Sequence, residues 1–285
     1  MIQAVIMDVD GVIVGKKSGI NFPLPNVLVI KALRRLNEKG IPVILCTAKF
    51  NHAVKEIIIQ AELRNPHITD GGALIIDPLN EKIVKKHVFP KDLARTIVEQ
   101  VLSQNFYTEV YGVNDYYLQK DHIGKFTEKR IKILQKEHTA VDSLLDKIDE
   151  IEVIKIINFA HTSEDRLQIN KLLDQFSEKI HVIWSHHPAT LPAENTVITI
   201  KGVSKKDAAL EVLDYLKISP SETLGVGDTI ADWNFMSLCK YVGVVGDASQ
   251  ELKDLSRTKG EGNYYFSPSV DEDGFLEIVD YFKDK

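Results

Sequence analysis

The sequence predicts an α/β protein, a doubly wound parallel-sheet (Rossmann-like) core with a second, α+β domain inserted into it. Three observations carry this. Continuous apolar runs without two-residue alternation, the mark of strands buried on both faces, stand at 4–7 (AVIM), 41–46 (IPVILC), 223–227 (TLGVG) and 241–245 (YVGVV). Helical patterns lie between and after them. The stretch from about 83 to 189 loses that texture, which divides the chain into 1–82 and 190–285 as one domain and 83–189 as the insert. A length of 285 residues is ample for two such cores.

Taken in order, the first run is followed by PNVLVIKALRRLNEKG, with Leu28, Leu33 and Leu36 near helical spacing, Pro25 at the start and Gly40 at the stop. After the second run, 50–64 (FNHAVKEIIIQAELR) again reads as a helix. HITDGGALIID then returns to extended structure through a glycine turn. In the insert, extended segments at 82–89, 107–118, 151–161 and 180–185 flank helices near 91–104 and 163–178, the latter opened by a capping pair, Thr162 and Asp165. The parallel-sheet texture is expected to resume at 196–217, where Ser204 and Asp207 repeat the capping pattern.

Composition narrows the function classes. A net charge of −6 disfavours a protein built for nucleic acid, which normally shows a basic face. No apolar stretch approaches the ~20 residues that span a bilayer. The N-terminus shows no basic segment or cleavage site, so a cytoplasmic location is expected. Two cysteines, Cys46 and Cys239, both within apolar stretches, supply neither a disulfide framework nor a metal site.

In open α/β sheets ligands sit beyond the carboxyl ends of the parallel strands, so polar residues placed there are the candidates for chemistry. Asp8 and Asp10 follow the first run, Thr47 the second and Asp228 the third, with Asp232 one turn later. Carboxylates that converge in this way repel unless a hard cation sits among them. Mg²⁺ suits oxygen ligands and commonly completes its shell with phosphate oxygen. Lys205, in the first turn of a helix, opposes the helix dipole by about 0.3–1 kcal/mol, so a phosphate or Asp8 should compensate it. A carboxylate such as Asp8 can attack phosphorus, while Asp10, two residues on, protonates the leaving oxygen and later activates water.

The segments DVDGV, the Thr of VILCTAK, the Lys of KGVSKKDAAL and GVGDTIAD, in that order, resemble the four motifs of the haloacid dehalogenase-like superfamily. The insert resembles the class IIB cap of Cof-type phosphatases, and together the two likenesses cover essentially the whole chain. The resemblance implies that Asp8 is nucleophile and metal ligand and that Asp10 is the acid/base residue, offering its backbone carbonyl to Mg²⁺. It makes Asp228 and Asp232 metal residues, the latter directly or through water, and gives phosphate to Thr47 and Lys205. The chain departs from the family pattern at Val12, Ala48, Lys49, Lys206 and Ala231.

The expected activity is Mg²⁺-dependent hydrolysis of small phosphate monoesters, sugar phosphates by resemblance, under a closing cap. A phosphosugar mutase using the same aspartyl phosphate and a phospho-accepting binding protein are the alternatives, and the oligomeric state is left open. Lys120, His122 and Lys125 are the polar candidates for reading the leaving group. GVIVGKKS at 11–18 imitates a phosphate-binding loop but has three residues between its glycines where four are needed. His186 and His187 lack a third metal ligand, Trp184, Trp233, Phe235 and Met236 read as packing, and Cys46 is expected to point away from the site.

Overall fold

The structure is a computed structural model and describes residues 1–186, 190–246 and 248–285, with backbone only at His186. His187, and the His186 side chain with it, lie outside the described residues. The chain opens with β1 (Ala4–Met7), α1 (Val27–Glu38), β2 (Val43–Leu45) and α2 (His52–Gln60), followed by an antiparallel trio, β3 (His67–Thr69), β4 (Leu74–Asp77) and β5 (Lys82–Lys86). Asn26 starts α1 by accepting the Leu28 and Val29 amides, and the helix buries Val29, Ile30 and Leu33 rather than the predicted Leu28, which is exposed.

Next come α3 (Lys91–Ser103), β6 (Thr108–Tyr111), β7 (Tyr116–Gln119), α4 (Lys125–Leu134), β8 (Thr139–Val141), α5 (Leu144–Glu150), β9 (Lys155–Ala160), α6 (Ser163–Asp174), β10 (Ile180–His186) and β11 (Glu194–Ile200). The remainder is α7 (Lys205–Leu216), β12 (Thr223–Gly227), α8 (Trp233–Met236), β13 (Tyr241–Val244), α9 (Gln250–Arg257), β14 (Tyr264–Phe266) and α10 (Gly274–Phe282).

Five of these strands form a parallel sheet in the order β14, β13, β12, β1, β2. Alternate residues of β1 enter opposite layers: Val5 and Met7 join the core packed by α1, α2 and α10, while Ala4 and Ile6 join the one packed by α7, α8 and α9. Every residue of β1 is buried, which is why its sequence is a continuous apolar run. The chain leaves β1 toward β2 on one side and returns to β12 on the other, so the crevice where connections diverge lies at the end of β1.

A second sheet runs β10, β11, β9, β6, β7, β8. One face carries α3, α5 and α6 over Ile156, Val110 and Ile198. The other turns Tyr111, Lys155, Ile157 and Val197 toward the end of the parallel sheet, where α4 adds Arg130, Ile133 and Leu134. Two expectations are corrected here. Residues 194–200 do not resume the parallel sheet but pair antiparallel with both β10 and β9, and β5, expected at the start of the insert, pairs with β4. In both cases an extended segment next to a turn left the partner strand open, and antiparallel pairing with a neighbouring strand decided it. Thr162 and Asp165 form the reciprocal capping box as read, whereas Ser204 accepts the Asp207 amide at 3.2 Å without the return bond, its hydroxyl donating to the Asp207 carboxylate at 2.6 Å instead.

Candidate active site

Asp8 is the first residue past β1, and its Oδ1 accepts the Val9 amide at 2.8 Å. Its Oδ2 faces Lys205 Nζ at 3.0 Å, and the same ammonium lies 2.8 Å from Asp232 Oδ1. The cation at the start of α7 therefore has its two compensating charges within the protein. All three side chains are nearly or wholly buried.

Asp232 is placed by close packing. A Cβ on Gly227 would fall 2.5 Å from the Asp232 Cβ and 2.7 Å from Met236 Sδ, so only a glycine lets α8 and the turn before it approach β12 so closely. The other Asp232 oxygen, Oδ2, accepts the Asp228 amide at 3.2 Å and the amide and hydroxyl of Thr229 at 3.1 and 2.9 Å. Asp232 thus holds Lys205 and the Asp228 turn from behind the cavity.

Asp228 presents the opposite situation. Its Oδ1 is buried with no hydrogen-bond partner, and Asp8, Asp228 and Asp232 each offer a carboxylate oxygen within 4.8 Å of the others. Burial pushes the Asp8 carboxyl up to about 7 against the pull of Lys205, with Asp232 and Asp10 adding to the rise. Burial, reinforced by the charges of Asp232 and Asp8, also drives Asp228 well above the ordinary carboxylate range. Burial works against Asp232 as well, but Lys205 and the Thr229 hydrogen bonds hold it below its usual value, while Asp232 and Asp8 raise Lys205 against its own burial.

Thr47 is buried two residues beyond β2, its Oγ1 accepting the Lys49 amide at 3.1 Å. Lys49 Nζ in turn lies 2.5 Å from Asp10 Oδ1 with its side chain almost wholly buried. Asp8, Asp10, Thr47, Lys49, Lys205 and Asp228 line one cavity between the parallel sheet and the second sheet. Over the described lining residues and their ion-pair partners, four cations (Lys49, Arg130, Lys155, Lys205) face six carboxylates (Asp8, Asp10, Asp70, Glu109, Asp228, Asp232). The excess of two carboxyl groups over cations sits at the Asp8 and Asp228 end, where an orphaned carboxylate oxygen is buried. That donor set fits a divalent, oxygen-seeking cation.

The structure thus brings Asp8, Asp10, Thr47, Lys205 and Asp228 onto one cavity and puts Asp232 directly behind it. It does not bring Lys120, His122 or Lys125 there: Lys120 pairs with Asp142 at the surface, His122 stacks on Tyr107, and Lys125 opens α4. The insert contributes Arg130 and Lys155 instead. Lys155 is a lysine in the buried strand KIINFA and Arg130 shares a helix face with Phe126, Ile133 and Leu134, so a buried basic residue on an apolar face was the available signal. Cys46 points its thiol at the Lys205 carbonyl, 3.7 Å away, and does not line the cavity. Residues 11–14 fold back as a tight turn on the Val9 carbonyl, not as a phosphate loop.

Comparison with known proteins bears on this geometry. The family model for haloacid dehalogenase-like hydrolases matches residues 5–278, so the chain belongs to that family and is an enzyme of the hydrolase class. Phosphatase YwpJ of Bacillus subtilis is 20% identical over 270 residues, covering 89% of this chain and 93% of its own. The phosphoglycolate phosphatase of Staphylothermus marinus is 23% identical over 294 residues, covering 100% and 99%. Among solved structures, a haloacid dehalogenase-like hydrolase from Bacteroides thetaiotaomicron superposes with a TM-score of 0.82 at 15% identity, over 98% of this chain and 99% of its own. A subclass IIB sugar phosphatase of the same superfamily superposes with a TM-score of 0.78 at 18% identity, over 99% of each chain. No helix among the described residues is long and apolar enough to cross a membrane.

Proposed function

We propose that this hydrolase is a phosphatase that cleaves small phosphate monoesters, sugar phosphates among them, with Mg²⁺ and through an aspartyl phosphate on Asp8. One observation carries the reading: the buried Asp8 carboxylate is fixed by Lys205 at 3.0 Å beside the orphaned Asp228 oxygen, at the floor of a cavity roofed by the second sheet. The names of the relatives support it. Asp8, Asp228 and the backbone carbonyl of Asp10 would hold Mg²⁺, with Asp232 supporting them from behind. The metal, when bound, supplies positive charge against the phosphoryl oxygens.

Asp8 Oδ attacks phosphorus, the bond to the ester oxygen breaks, and Asp10 delivers a proton to the departing alcohol. Water then attacks the same phosphorus, Asp10 takes its proton, and the bond to Asp8 breaks to release phosphate. Lys205 and Thr47 donate hydrogen bonds to the phosphoryl oxygens throughout, and Lys49 keeps the Asp10 carboxylate turned toward the cavity. The second sheet excludes bulk water and confines the substrate to small molecules.

The test is release of inorganic phosphate from a panel of small monoesters, with Mg²⁺ and with chelator. Wild type should release phosphate only with metal, and Asp8→Asn should lose on the order of a thousandfold or more in rate, as when a covalent nucleophile is removed. A folded, metal-loaded wild type that releases none would overturn the reading, and an isomeric phosphate ester in place of free phosphate would mark a mutase.

A further inference from the structure

The part of the cavity that must receive the alcohol of the ester carries cations, yet among the described residues none brings uncompensated charge. Lys155 on β9 puts its ammonium 2.6 Å from Asp70 Oδ1 and 3.1 Å from the Ala48 carbonyl, with the lysine and aspartate side chains 1% and 0% exposed. Arg130 on α4 grips Glu109 with two hydrogen bonds of 2.9 and 2.8 Å and adds the Tyr111 hydroxyl at 3.1 Å. Lys49 is paired with Asp10. Around these pairs the wall is apolar, with Ile133, Leu134, Ile157 and Val197, and beside Tyr111, whose hydroxyl is taken by Glu109 and Arg130, its described uncharged polar members are Ser185 and Asn195.

Resting on the phosphatase reading above, we infer that the leaving group accepted here is uncharged, and that the Lys155–Asp70 and Arg130–Glu109 pairs impose this choice. A second phosphate or a carboxylate on the alcohol would be stripped of water against a wall of zero net charge. Among the described residues it could gain a counter-ion only by breaking a buried pair, which leaves Asp70 or Glu109 uncompensated in the interior. Hydroxyl groups carry no such penalty and find Asn195 and Ser185. The phosphate end differs because its own charge meets Lys205 and the metal site.

The experiment measures kcat/KM with Mg²⁺ for two matched pairs of esters, glycerol phosphate against phosphoglycerate and phenyl phosphate against carboxyphenyl phosphate. The neutral member should be favoured by roughly tenfold or more, since buried unpaired charge is rejected strongly. Asp70→Asn keeps the shape and suits the left-handed backbone at that position, φ +55°, while releasing Lys155. It should narrow or invert the ratio, and adding Lys155→Met to it should restore the neutral preference. Should Asp70→Asn fail to fold, Glu109→Gln, which releases Arg130, carries the same expectation. Wild type that treats the members of a pair equally, or a folded releasing variant with an unchanged ratio, overturns the inference and leaves the phosphatase reading standing. No hydrolysis of any of the four esters overturns the phosphatase reading itself, and the inference with it.

Discussion

Gly11 sits where any side chain would displace the Asp228 carboxylate. Its φ of +78° belongs to the left-handed region, and a Cβ there would lie 1.9 Å from Asp228 Oδ2. Gly11→Ala would meet the backbone penalty of about 1–2 kcal/mol and would also push Asp228 off its position beside Asp8. The expected outcome is a folded protein whose phosphate release falls about a hundredfold and whose half-saturating Mg²⁺ concentration rises, because a misplacement of about 1 Å costs that much in a preorganised site. Titrating activity against Mg²⁺ checks both, and a variant with unaltered metal dependence would remove Asp228 from the proposed ligand set. The acids at this scale are legible in the sequence because each follows a buried strand, where the chain must surface into the crevice. Lys49, Arg130 and Lys155 are not legible in that way. Their partners, Asp10, Glu109 and Asp70, lie 39, 21 and 85 residues away, and no local pattern announces such pairings.

Among the elements, β3 holds a titratable group that the chemistry does not use. His67 is fully buried, and its Nδ1 accepts the Leu45 amide at 3.2 Å across to β2. Burial, the leading cause, lowers its pKa from 6.5 to about 4. The unfolded chain therefore binds a proton between those values and the folded chain does not. The contribution of His67 to stability is fully present above pH 6.5 and is lost as pH falls toward 4, by up to roughly 3 kcal/mol. Urea unfolding at stepped pH should show this decline in wild type and a flatter one in His67→Gln, whose amide oxygen can still accept the Leu45 N–H; equal slopes would place the acid sensitivity elsewhere. Strands buried on both faces, β1, β2, β12 and β13, were legible as apolar runs. The parallel edge strand β14, half-buried in the sequence NYYFSPS, was not, because an edge needs no such run. The same limit hid α4, whose inward face is interrupted by Arg130.

Across the whole molecule, a short stretch just after β2 clasps the two sheets together. Phe50 is fully buried with its ring centroid 5.5 Å from that of Tyr111 and 6.2 Å from that of Tyr116, and the Asn51 side-chain Nδ2 donates to the Val113 carbonyl at 2.7 Å. Lys155 reaches back to the Ala48 carbonyl and to Asp70. All the core residues in this clasp except Asp70 lie within four positions of Thr47, so the loop that proposes to hold phosphate also holds the second sheet. The sequence placed that insert between the motifs but could not show this clasp, because it joins β6, the turn after it and β9 to residues some sixty to a hundred positions earlier. With the clasp intact the sheets should unfold together, since neither can separate without exposing Phe50 and the buried Lys155–Asp70 pair. Phe50→Ala removes a large aromatic from the core shared by the two sheets, at a cost of about 3–5 kcal/mol, and leaves the polar contacts of Ala48, Asn51 and Asp70 to join them at this clasp. Calorimetry should then show one transition in wild type and a lowered, divided transition in the variant, accompanied by a higher KM as the Thr47 loop loses its support. A lowered but undivided transition would mean that Phe50 stabilises the parallel-sheet core without coupling it to the second sheet.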